Sequence, residues 1–160
     1  MNEIQIRKME IGDSESLREN IFSGNMLEEV KERVEKNISE MDSGNCVALV
    51  AVADANVIGT VLVKKSQHIL TSQRAELADV VVNPAFQKQG LGKRLCKESF
   101  IYAKQMGCDH IIATCRNDGA ELFYSAIGME QCGKIPAGII EPWGEKKQYD
   151  EIIFYKRLAD

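Results

Sequence analysis

The residues whose types and spacing most directly imply chemistry are Gln87-Lys88-Gln89-Gly90-Leu91-Gly92-Lys93. They follow the β-branched run Val80-Val81-Val82, which Asn83-Pro84 closes, and they lead into an amphipathic helical pattern. Strand, glycine loop and helix start together aim backbone N–H groups and the positive end of a helix dipole at one anion. Upstream, Glu76 and Asp79 place two carboxylates on the strand that feeds the loop. An acid in an otherwise apolar strand is costly unless it is solvated or paired, so either one is a candidate general base. The plain alternative is a strand-edge carboxylate facing water. A regular strand points residues three apart to opposite faces; a bulge would change that.

Two common phosphate loops do not fit. A nucleotide P-loop needs a glycine where Gln87 stands and a hydroxyl where Arg94 stands. A dinucleotide fingerprint needs a third glycine where Leu95 stands, and it belongs at a first strand–helix turn, whereas this loop lies mid-chain. What remains is Gln-x-x-Gly-x-Gly. Downstream lies Asn117-Asp118-Gly119-Ala120-Glu121-Leu122-Phe123-Tyr124-Ser125-Ala126-Ile127-Gly128-Met129.

The first segment resembles the Q/R-x-x-G-x-G/A loop of the GNAT superfamily of N-acetyltransferases. The second resembles that family's N-x-x-A-x-x-L/F-Y-x-x-x-G-F signature, with Met129 in place of the aromatic residue. The match covers residues 46–133 well and the outer parts by topology. It implies acetyl-CoA as cosubstrate and no metal. The pyrophosphate would lie on residues Gln87 to Lys93, with Lys88 and Lys93 adding charge, and the pantetheine amides would pair with Val80 and Val82. A strand N–H near Val81 or Val82 would meet the carbonyl oxygen, and Asn117 would bond the pantetheine arm or nearby backbone. Tyr124 would be the general acid, although a tyrosine there also serves as core packing. By position, Glu76 falls where histone acetyltransferases carry their base, and Asp79 where several small-amine enzymes carry an acid. The C-terminal stretch resembles small-molecule acetyltransferases of the tabtoxin-resistance and puromycin types. It lacks their tyrosine after Ile135-Pro136 and their Asp-Gly turn, which leaves the acceptor open.

Periodicity supplies the elements that must position these residues. Alternation predicts strands over 3–9, 46–53, 57–64 and 76–82, with turn chemistry at Asp54-Ala55-Asn56 making a hairpin of the middle two. Apolar steps of three and four predict helices over 15–22, 26–41, 92–106 and 119–127. On the third helix Leu91, Leu95, Tyr102 and Met106 form a stripe that Ser99 interrupts and Cys96, Phe100 and Ala103 widen. Residues 110–114 read as a strand buried on both faces, with His110 a satisfied core residue, and 130–134 and 151–156 as a last pair around a loop holding Pro136, Pro142 and Trp143. Trp143 suits a lid, a pocket wall or a dimer contact, so a homodimer stays open. His68 lies in an ambiguous polar stretch. The expected architecture is α/β, of the α+β kind: a mixed, mostly antiparallel sheet of six or seven strands flanked by four helices.

With 160 residues, 44% of them hydrophobic and 28% charged, the chain is expected to form one soluble domain, residues 1–160. A net charge of −4 leaves no basic footprint for nucleic acid and suits an amine-bearing partner. The residues from Met1 to Lys8 have no signal-peptide core, and no run reaches membrane-span length, so a cytoplasmic location is expected. Five cysteines without C-x-x-C spacing argue against disulfide or zinc frameworks and for small buried hydrophobes. The sequence therefore predicts an acetyl-CoA-dependent transfer to a small-molecule primary amine by direct attack in a ternary complex. A protein N-acetyltransferase and a non-catalytic acyl-CoA sensor are the rivals.

Overall fold

A computed structural model describes residues 3–158; Met1 and Asn2 of the amino-terminal stretch, and Ala159 and Asp160, lie outside the described residues. The elements run β1 (Gln5–Lys8), α1 (Ser14–Asn20), α2 (Leu27–Asp42), β2 (Cys46–Ala53), β3 (Asn56–Lys65), β4 (Arg74–Val82), α3 (Leu91–Gln105), β5 (His110–Arg116), α4 (Ala120–Ala126), β6 (Glu130–Ile140) and β7 (Gln148–Arg157). The strands form one seven-stranded sheet in the order β1-β2-β3-β4-β5-β7-β6, and only the β4–β5 pair is parallel. The hairpin turn between β2 and β3 is made by Asp54 and Ala55, both at positive φ (49° and 64°), the conformation that matches strand twist.

Each sheet face carries its own core. Leu49, Val61, Val63, Leu77, Ile111, Ala113 and Phe154 face α3 and α4, whereas Ala48, Val50 and Val57 face α1 and α2 through Leu17, Val30 and Val34. The α3 side closes tightly at Gly59, where an added Cβ would lie 3.0 Å from Leu95 Cδ1. The buried stripe of α3 is Leu91, Leu95, Cys96, Ser99, Phe100 and Ala103, with Tyr102 and Met106 only partly covered. Ser99 does not interrupt the stripe. Its hydroxyl donates to Cys96 O at 2.7 Å, so it enters the core with its polarity satisfied.

Two expectations about the strands are corrected. β5 is buried on one face only, through Ile111, Ala113 and Cys115; Thr114 is exposed, and His110 is half-exposed against Asp109 rather than a core residue. β6 extends to Ile140, so Pro136 lies inside a strand and not in the loop. This is tolerated because β6 is the sheet edge and is irregular between Ile135 and Ile139. His68 caps the Ile69–Thr71 turn by accepting from Leu70 N at 3.2 Å, which gives it a local structural job.

Asp13 does not cap α1 with its side chain. Its carboxylate takes two N–H groups from Arg7, at 2.7 and 2.9 Å, and one from Glu10 N at 2.8 Å. Burial pushes its pKa up, but the Arg7 and backbone hydrogen bonds outweigh this and leave it below the usual carboxylate value. The stability it contributes is present above its unfolded pKa and is lost as pH falls through the lower folded value. Asp13→Ala is expected to destabilise the fold by about 2 kcal/mol, read as a lower urea midpoint at pH 7 with unchanged slope.

Candidate active site

The parallel ladder between β4 and β5 is short: Arg74, Ala75 and Glu76 pair with His110, Ile111 and Ile112, and no further. Above Glu76 the two strands part. The cause lies on β4, where the β3 register passes from Leu62↔Ala78 to Thr60↔Val81, two residues against three. Asp79 is the residue at the kink, exposed and with φ of +50°. A left-handed Asp is tolerated better than most side chains, and the bulge bends β4 away from its neighbour. The result is an unpaired length of β4 main chain, able to pair with an extended amide-bearing chain as an added strand would.

Beside this opening lies a cavity of about 490 Å³, with Val80 and Val82 on the strand wall, Leu91 and Gly92 on the α3 wall, and Phe123 and Tyr124 on the α4 wall. Its mouth is the loop between β4 and α3. Asn83 fixes the loop's start: its Nδ2 donates to Asn20 O at 2.9 Å and its Oδ1 accepts from Ala85 N at 2.9 Å. Gln87 Nε2 donates to Val82 O at 3.0 Å, which folds the loop back on the strand. Lys88 and Gly90 then take positive φ, 61° and 80°, and α3 begins. The first intrahelical bond runs from Arg94 N to Gly90 O, so the N–H groups of Leu91, Gly92 and Lys93 have no acceptor within the helix. With Lys88 and Lys93 at the same mouth, the end of the cavity is cationic and donor-rich.

The two glycines do different jobs. A Cβ on Gly90 would meet nothing within 4 Å, so its side is open space beside the free N–H groups. A Cβ on Gly92 would lie 3.2 Å from Phe123 Cε2, so Gly92 lets α3 and α4 close over the cavity. Gly90 is thus the position where backbone stands open to a ligand, and Gly92 serves packing.

Tyr124 is the polar group on the far wall. Its ring stacks on Phe154 at 5.6 Å and meets Phe123 edge-on at 5.3 Å. Among the described residues its hydroxyl has no hydrogen-bond partner, although the residue lines the cavity. Burial pushes its pKa up to about 12, with Cys96 and Cys115 adding to the effect, so it holds its proton at neutral pH.

Other predicted residues sit apart. Val81 and Gln89 do not line the cavity, and neither do Glu76 and Asp79. Glu76 stands exposed at the last rung before the split, on the face turned away from α3. Asn117 faces β7: its Oδ1 accepts from Asp150 N at 2.9 Å, and its own N donates to Asp150 O at 3.2 Å, which ties the end of β5 to the last strand. Sequence reasoning passed over Phe86, Ala120 and Phe123 as cavity walls. The signal for the last two was their place in the 117–129 segment, where Ala120 shares the helix face of Tyr124 and Phe123 adjoins it.

Residues 15–129 match the model of the Acetyltransferase (GNAT) family. The chain belongs to this family. It is an acyltransferase, and its acyl donor is acetyl-CoA. A curated relative, glucosamine 6-phosphate N-acetyltransferase of Arabidopsis thaliana, is 26% identical over 133 residues, covering 78% of this chain and 89% of the relative. Among solved structures, a GNAT-family acetyltransferase from Streptococcus pneumoniae aligns with a TM-score of 0.80 at 21% identity, covering 97% of this chain and 99% of the other. A phosphinothricin acetyltransferase from Sinorhizobium meliloti, in complex with acetyl-CoA, aligns with a TM-score of 0.81 at 17% identity, covering 98% and 89%. These structures share the GNAT fold of seven mixed strands and four helices. The cavity fits the donor by its own chemistry: a cationic, N–H-rich mouth beside an open glycine for the pyrophosphate, and a bare strand edge for the amide arm. No helix among the described residues is long and apolar enough to cross a membrane.

Proposed function

We propose that this GNAT acetyltransferase transfers the acetyl group to the primary amine of a small molecule, directly and in a ternary complex, within one domain spanning residues 1–160. The observation that carries the reading is the continuous path from the cationic loop, along the unpaired edge of β4, to the free hydroxyl of Tyr124. Acetyl-CoA supplies an activated acyl group as its thioester. Lys88, Lys93 and the N–H groups at the start of α3 hold its anionic end, while Val80 and Val82 offer main-chain partners along the arm. Glu76, where the split opens, takes the proton of the incoming ammonium directly or through water; Asp79 at the bulge is the second candidate. Tyr124 Oη gives its proton to the leaving sulfur.

One feature supports direct transfer. The buried thiols nearest the site are poor nucleophiles, because burial pushes Cys96 up to about 12 and Cys115 up to about 11, which disfavours a cysteine-bound acyl group. At the end of β5, Arg116 pairs with Glu141 at 2.9 Å and lies over the Tyr149 ring, while Tyr149 Oη donates to the same Glu141 oxygen. That clamp ties the β6–β7 hairpin to the end of β5, beside the split.

The test is thiol release from acetyl-CoA across a panel of small amines and peptides, with glucosamine 6-phosphate included because the plant relative bears its name. Turnover of small amines above peptides is expected. Turnover of peptides alone would move the reading to a protein acetyltransferase, and no turnover at all would leave an acyl-CoA sensor.

A further inference from the structure

Outside the cavity, two arginines flank a histidine in one cross-strand row at the closed end of the split. Arg74 of β4 pairs in register with His110 of β5, and His110 with Arg157 of β7. All three lie on the sheet face opposite Ala75 and Ile111, the face that α1 and α2 cover over β2 and β3. Neighbouring strands are about 4.8 Å apart, so the row spans roughly 10 Å, within reach of two arginine side chains that converge on one point. Two guanidinium groups brought that close repel one another unless an anion lies between them.

Several other charged residues of the sheet are compensated by an opposite charge. Lys64 pairs with Glu40, Arg116 with Glu141 and Lys134 with Asp150. In this row Asp109 takes His110 Nδ1 at 2.6 Å, while among the described residues Arg74 and Arg157 have no carboxylate partner. Open clefts flank the row on either side. One of about 190 Å³ is lined by Lys64, Lys65, Arg74 and Glu76, and one of about 310 Å³ by His110, Glu130, Lys156 and Arg157. In a chain of net charge −4, this local excess of positive charge is against the overall balance.

Glu76 fixes what the row is for. It follows Arg74 by two residues on the same strand face, about 7 Å away, and it is the last rung before the split. We propose that the acceptor is an amine that carries a phosphate monoester: its ammonium meets Glu76 at the split, and its phosphate is held by Arg74 and Arg157, with His110 between them. Two planar guanidinium groups and an imidazole N–H match a dianionic phosphate by charge-assisted, bidentate hydrogen bonds. This assignment rests on the small-amine reading above and names its acceptor class.

The experiment compares matched pairs, glucosamine with glucosamine 6-phosphate and ethanolamine with its phosphate ester, in wild type and in the Arg74→Gln/Arg157→Gln double variant. Wild type should favour the phosphorylated member by at least tenfold in kcat/KM. The double variant should raise KM for that member at least tenfold, and leave the unphosphorylated member and acetyl-CoA affinity within about twofold. Equal turnover of both members, or an equal loss on both in the variant, would overturn the anion row and leave the acetyltransferase reading intact. If neither member turns over, calorimetry of the phosphate esters decides: binding lost in the double variant upholds the row, and no binding to wild type overturns it.

Discussion

Gly90→Val is expected to weaken acetyl-CoA binding by about 100-fold or more while leaving the protein folded. Two effects add. At φ of +80° an L residue is strained, and a β-branched one most of all, by about 1–2 kcal/mol. The new side chain would also occupy the open space beside the free N–H groups of Leu91, Gly92 and Lys93, where the pyrophosphate is placed. Losing charge-assisted contacts there costs a further 1.5–3 kcal/mol or so, and each 1.4 kcal/mol is tenfold in affinity. Gly90→Asn separates the two effects. Asparagine adopts positive φ with little strain, so its loss reports obstruction alone and should be smaller. Calorimetry reads the affinities and circular dichroism the fold. A valine variant that binds like wild type would remove this loop from the cofactor site.

Tyr124→Phe is expected to lower kcat by roughly 100- to 10,000-fold, the range for loss of a positioned general acid, with acetyl-CoA affinity almost unchanged. The prediction follows from the isolation of the hydroxyl: no described residue bonds to it, so its removal leaves no orphaned partner and the ring keeps its contacts with Phe123 and Phe154. Stability should be preserved for the same reason. Burial raises this phenol from 10.0 to about 12, so the folded state favours the protonated form. Its contribution to stability is therefore complete below pH 10 and lost as pH rises toward 12. An absorbance titration should show one tyrosine ionising near pH 12, and that step should vanish in the phenylalanine variant. A kcat unchanged by the substitution would remove Tyr124 from the acid role and leave it as packing.

Much of this architecture is legible in the order of periodicities. Alternation over residues 46–53 and 76–82, and three- and four-residue steps over 26–41 and 92–106, are local properties, and the elements form where they occur. The loop at Gln87 to Lys93 is legible for the same reason: strand, glycines and helix start are contiguous in the chain. What escaped depends on neighbours distant in sequence. Pro136 reads as a stop, but an edge strand has a solvent side that needs no donor. The bulge at Asp79 has no signature in hydropathy, because a left-handed Asp looks like any polar residue. The different jobs of Gly90 and Gly92 depend on Phe123, thirty residues downstream, which closes on only one of them. The row of Arg74, His110 and Arg157 exists only because β5 lies between β4 and β7, so no stretch of sequence contains it.

The central claim is that acetyl-CoA lies along β4 with its pyrophosphate at the start of α3. The most direct measurement is a titration of isotope-labelled protein with acetyl-CoA, followed through backbone amide resonances. The account predicts the largest shifts at Gly90, Leu91, Gly92 and Lys93, with a second group at Val80 and Val82 along the unpaired edge. Saturable shifts confined to other parts of the sheet, with residues 88–93 unmoved, would contradict it.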